Sequence, residues 1–180
     1  MARTTTPTGI WLMRGAFVLV ALLIMFFHLL PLDTLPRRWS PPDLLLALVL
    51  VWSVRRGDFV PPLLIALVML LADLLYQRPP GLWALLVLLA SEFLKSRMPA
   101  TRETPFLGEW FGVSVVIIGI TLLNRLVLGI LAVEQPHIAL VLVQVIMTIA
   151  VYPVVILVSQ SLLGVRRLSP ADAETMGNRL

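Results

Sequence analysis

Six apolar stretches, each closed by charges or prolines, constrain this chain more than any single motif. Lipid cannot solvate an open backbone, so breaks between spans must fall where polar residues return to water. On that rule the spans are placed at 11–30, 41–55, 59–77, 81–95, 105–132 and 137–163, with tails at 1–10 and 164–180. Six spans of about 20 residues use about 120 positions, leaving roughly 60 for tails and loops. That is too little for a soluble domain beside the bundle. Composition agrees: 59% of residues are hydrophobic and 13% charged, with mean hydropathy +0.96. A soluble domain carries about 25% charged residues. The expected fold class is an all-α polytopic membrane protein with six transmembrane helices. A water-soluble enzyme, a nucleic-acid module and a secreted disulfide scaffold are excluded.

The first span could be mistaken for a signal peptide. Its run from Ala16 to Leu30 ends in Pro31 and Leu32 with no small-residue cleavage site, so it is expected to be retained. With no cysteine there is no disulfide or thiolate ligand, and only His28 and His137 could offer imidazole, so no metal or other cofactor is expected. The formal charge of +4 reports loop charge rather than nucleic-acid binding.

Basic residues set the expected orientation. With the N-terminus inside, the cytoplasmic segments hold Arg3, Arg14, Arg55, Arg56, Lys95, Arg97, Arg102, Arg166, Arg167 and Arg179. The outer loops hold Arg37, Arg38 and Arg78. Ten against three predicts that both termini are cytoplasmic. Trp11, Trp39, Trp52, Trp83 and Trp110 fall near span ends, where indoles settle at lipid headgroups.

Helix punctuation follows the same boundaries. Ser40-Pro41-Pro42-Asp43 reads as a Ser N-cap, a proline at N1 and a carboxylate at N3. Thr104-Pro105 opens span five similarly, and Gly164 with Arg166 and Arg167 closes span six. Pro153, inside span six, removes one helical hydrogen bond and should kink it.

Charges at mid-bilayer cost about 2.5–3.5 kcal/mol each on the insertion scale, so every one needs a reason. Asp73 lies late in span three, and Arg125 lies beside Asn124 in span five. The stretch from Trp39 to Trp52 is only about 20 Å long at helical rise, which recesses its outer end and brings Asp43 toward the same depth. One reading is a polar pocket opening outward or a seam that docks a partner. The other is that Asp43 only caps its helix while Asp73 pairs with Arg125 to hold the bundle. Glu92 is expected to pair locally with Lys95. Glu109, near an interface, is expected to be blander still.

Gln144, Thr148, Tyr152 and Ser159 share one sector of span six, a polar stripe facing the bundle and read first as interhelical glue. Gly108 and Gly112 form a GxxxG too close to the interface to be a strong dimerisation signal. No GxSxG, HExxH or Gly-rich phosphate loop occurs, and the chain is read as non-enzymatic.

Two stretches then carry a resemblance. PPDLLLALVLVWSVRRGDFV spans 41–60, and LLADLLYQRPPGLWALLVLLASE spans 70–92. In this order, in a six-span chain of this length, they resemble the bacterial rod shape-determining MreD family. The architecture is matched throughout, the residue pattern only over 41–92. Met69-Leu70-Leu71-Ala72 lacks the glycine expected before Asp73, and the expected Pro-Leu-Gly turn reads Pro79-Pro80-Gly81.

The resemblance implies an inner-membrane, non-enzymatic subunit of the cell-elongation machinery. Its partners there would be MreC, the filament protein MreB, and RodA with its class B penicillin-binding partner. It also implies a fold similar to the substrate-binding subunits of energy-coupling-factor transporters. Asp43 and Asp73 match the family's acidic positions, and Pro42 and Gly81 its turn positions. The leading expectation is a scaffold that binds MreC and supports peptidoglycan synthesis. The alternative is a small-molecule- or lipid-binding transport subunit whose pocket lies near Asp43, Asp73 and Arg125, with Arg55, Arg56, Lys95 and Arg102 meeting a motor.

Overall fold

The computed structural model describes residues 7–30, 40–98 and 105–163. Within them the chain is all-helical: α1 (Pro7–Leu29), α2 (Leu44–Arg55), α3 (Pro62–Leu75), α4 (Leu82–Arg97), α5 (Phe106–Ile130) and α6 (Ile138–Leu163). Three of these, over Thr8–Leu29, Phe106–Ile130 and Ile138–Ser161, are long and apolar enough to cross a membrane. That composition marks a membrane protein. Trp39, Thr104, Gly164 and the flanking arginines of both tails lie outside the described residues.

The shortest helix is the centre of the bundle. At 12 residues α2 is about 18 Å long, and every residue from Leu45 to Arg55 is buried. Helices α1, α4 and α6 pack around it, while α3 bridges α1 and α4, and α5 bridges α4 and α6. An all-round apolar helix must either face lipid or be enclosed; α2 is enclosed. The long helices α1, α5 and α6 instead present Trp11, Phe26, Phe111, Leu122 and Leu157 outward.

Local chemistry sets the ends of α2. The helix starts at Leu44, later than the sequence suggests, because Asp43 itself is the N-cap and its Oδ1 accepts from the Leu46 amide at 2.9 Å. After Arg55 the chain turns through Arg56–Val60. The Arg56 guanidinium chelates Asp58 at 3.1 and 2.9 Å and lies 4.0 Å from the Phe59 ring centroid. Lys95 closes this turn from α4, donating to the Val60 carbonyl at 2.7 Å and to Glu92 at 2.8 Å. The expected Glu92–Lys95 pair is therefore present.

Trp52, expected at a headgroup, is wholly buried and donates to Ser159 Oγ at 3.3 Å, with Phe17 at 5.4 Å between ring centroids. Buried indoles seek a partner for their N–H, and α6 supplies it. Trp110 shows the same principle. Pro153 has no N–H, so the Ile149 carbonyl four residues earlier loses its helical donor. Trp110 Nε1 donates to that carbonyl at 3.0 Å. Trp110→Phe should cost about 1 kcal/mol, and adding Pro153→Ala should erase that cost by restoring the helical donor. A double-mutant cycle of unfolding in detergent checks this; additive losses would refute it.

Of the Gly108/Gly112 pair, Gly112 packs within the chain, while a Cβ on Gly108 would meet only Pro105 of its own segment. The Met98 side chain at the C-terminal end of α4 lies where a Cβ on Gly112 would sit. The close approach that a small residue permits is used here for α4 against α5.

Candidate functional site

The two acidic positions singled out from sequence serve as caps at the same end of the bundle. Asp73 is fully buried near the end of α3. Its Oδ2 accepts from the backbone amides of Gly81 and Ala84, both at 3.1 Å, which are the first amides of α4. A carboxylate there satisfies orphan donors and meets the positive end of the helix dipole. Gly81, the N-cap of α4, has φ +91 and no side chain of its own with which to cap. Asp73 supplies the missing cap from across the turn, and Gly81 supplies the backbone conformation. Asp73 thus pairs with backbone, and the Asp73–Arg125 pair weighed from sequence does not form.

Asp43 caps α2 and is held from two further sides. Its amide donates to Thr148 Oγ1 at 2.9 Å, and its Oδ2 lies 3.8 Å from Arg78 Nη1. Arg78 in turn donates its backbone N–H to the Asp73 carbonyl at 3.0 Å. One arginine, read from sequence only as a loop charge, therefore links both caps.

The cleft at this end has a volume of about 310 Å³ and is lined by the ends of α2, α4, α5 and α6 and the turns after α3 and α5. Asp43, Asn124 and Arg125, three of the four residues expected at a pocket, line it; Asp73, the fourth, does not, and Gln144 and Thr148, expected only as helix-packing groups, do. Arg125 Nη1 donates to the Pro136 carbonyl at 3.1 Å, and Gln135 Nε2 donates to the Arg125 carbonyl at 3.0 Å. A second cavity of about 450 Å³ lies toward α1 and shares Asp43, Arg78 and Gln144 with the first. The Asp43–Arg78 pair is the partition between them.

The two turns lining the cleft carry backbone strain. Helix α3 ends with the Gln77 amide donating to Leu74 and the Arg78 amide to Asp73; α5 ends with Ala132 donating to Gly129 and Val133 to Leu128. Both are Schellman closures, which favour glycine in the left-handed position. Here Gln77 (φ 54) and Ala132 (φ 52) occupy it, the two non-glycine residues with positive φ among the described residues. Each costs about 1–2 kcal/mol relative to glycine.

The opposite end of α2 holds a buried ion pair that sequence reasoning missed. Arg55 Nε and Nη2 donate to Glu109 Oε1 and Oε2, each at 3.2 Å, and Tyr152 OH donates to Oε1 at 3.0 Å. Glu109 is 1% exposed and Tyr152 0%. Glu109 is therefore a hub joining α2, α5 and α6, contrary to the bland reading of an interfacial carboxylate. The missed signal was Tyr152, whose hydroxyl on the polar stripe of α6 needed a partner at that depth.

The stripe itself faces inward as expected, through Thr148 to Asp43, Tyr152 to Glu109 and Ser159 to Trp52, with Gln144 at the cleft. Arg55 and Arg56 are bound in ion pairs and buried, so they do not form the free basic face a motor partner would need. Arg102 lies outside the described residues.

Among the described residues no three metal-ligating side chains come together. Compared with protein-family models, curated proteins and solved structures, the chain gives no match.

Proposed function

We propose that this chain is a non-enzymatic scaffold subunit of a bacterial rod complex, a six-span inner-membrane bundle with both termini cytoplasmic that binds MreC and supports peptidoglycan synthesis. The resemblance over 41–92 is the starting point, and with it comes the proposed fold similarity to energy-coupling-factor substrate-binding subunits. One observation carries the reading further. Both acidic motif positions, Asp43 and Asp73, are committed to backbone amides at the starts of α2 and α4. Asp73 thereby ties α3 to the start of α4, and Asp43, besides capping its own helix, ties α2 to α6 through its amide on Thr148, the kind of fixed helix placement a rigid docking module requires.

Contact with MreC would run along the exposed apolar flanks or at the cleft end of the bundle. MreB, RodA and the class B penicillin-binding partner would then be reached through MreC. A transport subunit is the less supported reading, because Arg55 and Arg56, which it needs at the surface, are paired inside.

The expected result is that MreC co-purifies with this chain after gentle detergent extraction, and that depletion rounds the cells. Purification of the chain alone, with rod shape unchanged on depletion, would overturn the proposal.

A further inference from the structure

The charge balance of the cleft says what it can hold. Two cations, Arg78 and Arg125, face two anions, Asp43 and Glu134. Arg78 and Asp43 offset one another at 3.8 Å. The other two are left facing the cavity: Glu134 has no ion-pair or hydrogen-bond partner among the described residues, and Arg125 touches a carbonyl rather than a carboxylate.

The turn that carries Glu134 is nevertheless tied to Arg125, through the two residues that follow Glu134: Arg125 donates to the Pro136 carbonyl and Gln135 to the Arg125 carbonyl. Trp83, Ile117 and Leu46, all buried, give the same cleft an apolar wall. A simple anion at Arg125 would meet Glu134 uncompensated, and a simple cation would meet Arg125.

We propose that this cleft binds a zwitterionic amphiphile. An acidic group, phosphate or carboxylate, sits on the Arg125 guanidinium; a primary ammonium a few bonds away sits on Glu134; the apolar portion covers Trp83 and Ile117. Arginine's planar fork matches either acid, and charge-assisted hydrogen bonds from an N–H₃⁺ suit a carboxylate. The volume lies at the low end of small-molecule sites, which fits a head and its first methylenes rather than whole acyl chains. An ethanolamine phospholipid and a soluble amphiphilic zwitterion share this chemistry. The binding goes beyond the scaffold role and does not depend on it.

The test uses the full chain, delipidated in detergent, with thermal unfolding and native mass spectrometry as readouts. The probes are phosphatidylethanolamine, phosphatidylglycerol, phosphatidylcholine and free phosphoethanolamine. Phosphatidylethanolamine is expected to bind about tenfold tighter than the other two lipids, the factor that one added charge-assisted bond of about 1.4 kcal/mol supplies. Glu134→Gln should reduce that ratio to near one with the lipid-free unfolding temperature unchanged, since Glu134 makes no bond to another described residue. Arg125→Gln should weaken phosphatidylethanolamine and phosphatidylglycerol together. Binding of free phosphoethanolamine would support the site and assign a soluble source, whereas binding only with acyl chains would support it and assign a lipid. Equal affinity for the three lipids, or an ethanolamine preference that survives Glu134→Gln, would overturn the proposal.

Discussion

Glu109→Ala is expected to destabilise the bundle by about 3–5 kcal/mol, because it strands the Arg55 guanidinium in a buried site. Arg55 and Glu109 are 7% and 1% exposed and meet through two bonds of 3.2 Å, so neither can turn to water when its partner is lost. Tyr152 OH would lose its 3.0 Å acceptor in the same step.

The paired replacement Arg55→Met with Glu109→Leu should behave differently. It removes both charges together and fills similar volume with apolar groups, so most of the loss should be recovered. Chemical unfolding in detergent measures both variants. A double variant as unstable as Glu109→Ala would show that the stranded charge is not the cause. Such a pair contributes little net stability, but it admits one register of α2 against α5 and α6, which lipid-like side chains alone would not select.

Asp73→Ala should cost about 2–3 kcal/mol, since it leaves the part-buried Gly81 amide and the buried Ala84 amide at the start of α4 without their charged acceptor. Asp73→Asn should be much milder. Its amide oxygen can take the place of Oδ2 at Gly81 and Ala84, while its NH₂ occupies the position of Oδ1, which is buried and makes no hydrogen bond. What is lost is the charge at the helix N-terminus, worth about 0.3–1 kcal/mol. Unfolding of both variants, with limited proteolysis across the turn at 76–81, separates the cases. If Asn proves as damaging as Ala, the carboxylate has a role beyond capping.

Some of this site was legible in the sequence for reasons that can be stated. Asp43 follows two prolines and precedes a leucine run, a helix start whatever surrounds it. Pro153 had to free one carbonyl, because proline carries no N–H. The α6 stripe was expected to turn inward because polar groups gathered on one sector of an apolar helix can hydrogen-bond across to other helices but not to lipid. Other assignments depended on distance across the bundle. Asp73 and Arg125 have opposite charge, yet Asp73 meets amides eight and eleven residues onward in its own hairpin. Closing the short α3–α4 turn costs less chain entropy than pairing across to α5. Trp52 lies at a span end in sequence and at the centre of packing in space.

The amino-acid sequence alone determined that this chain is a bundle of apolar helices, where most of them begin and end, and which few polar groups need partners. Those follow from lipid's inability to satisfy backbone and from the chemistry of prolines, caps and charges. Only the tertiary structure decided that α2 is the enclosed helix and α1 an outer one. In a soluble protein the polar face of a helix announces which side meets water. Here α1 and α2 are both apolar all round, and lipid and protein interior ask for the same side chains. The distinction therefore rests on packing and on which donor meets which acceptor: Glu109 with Arg55, Thr148 with Asp43, Trp110 with the carbonyl that Pro153 left open.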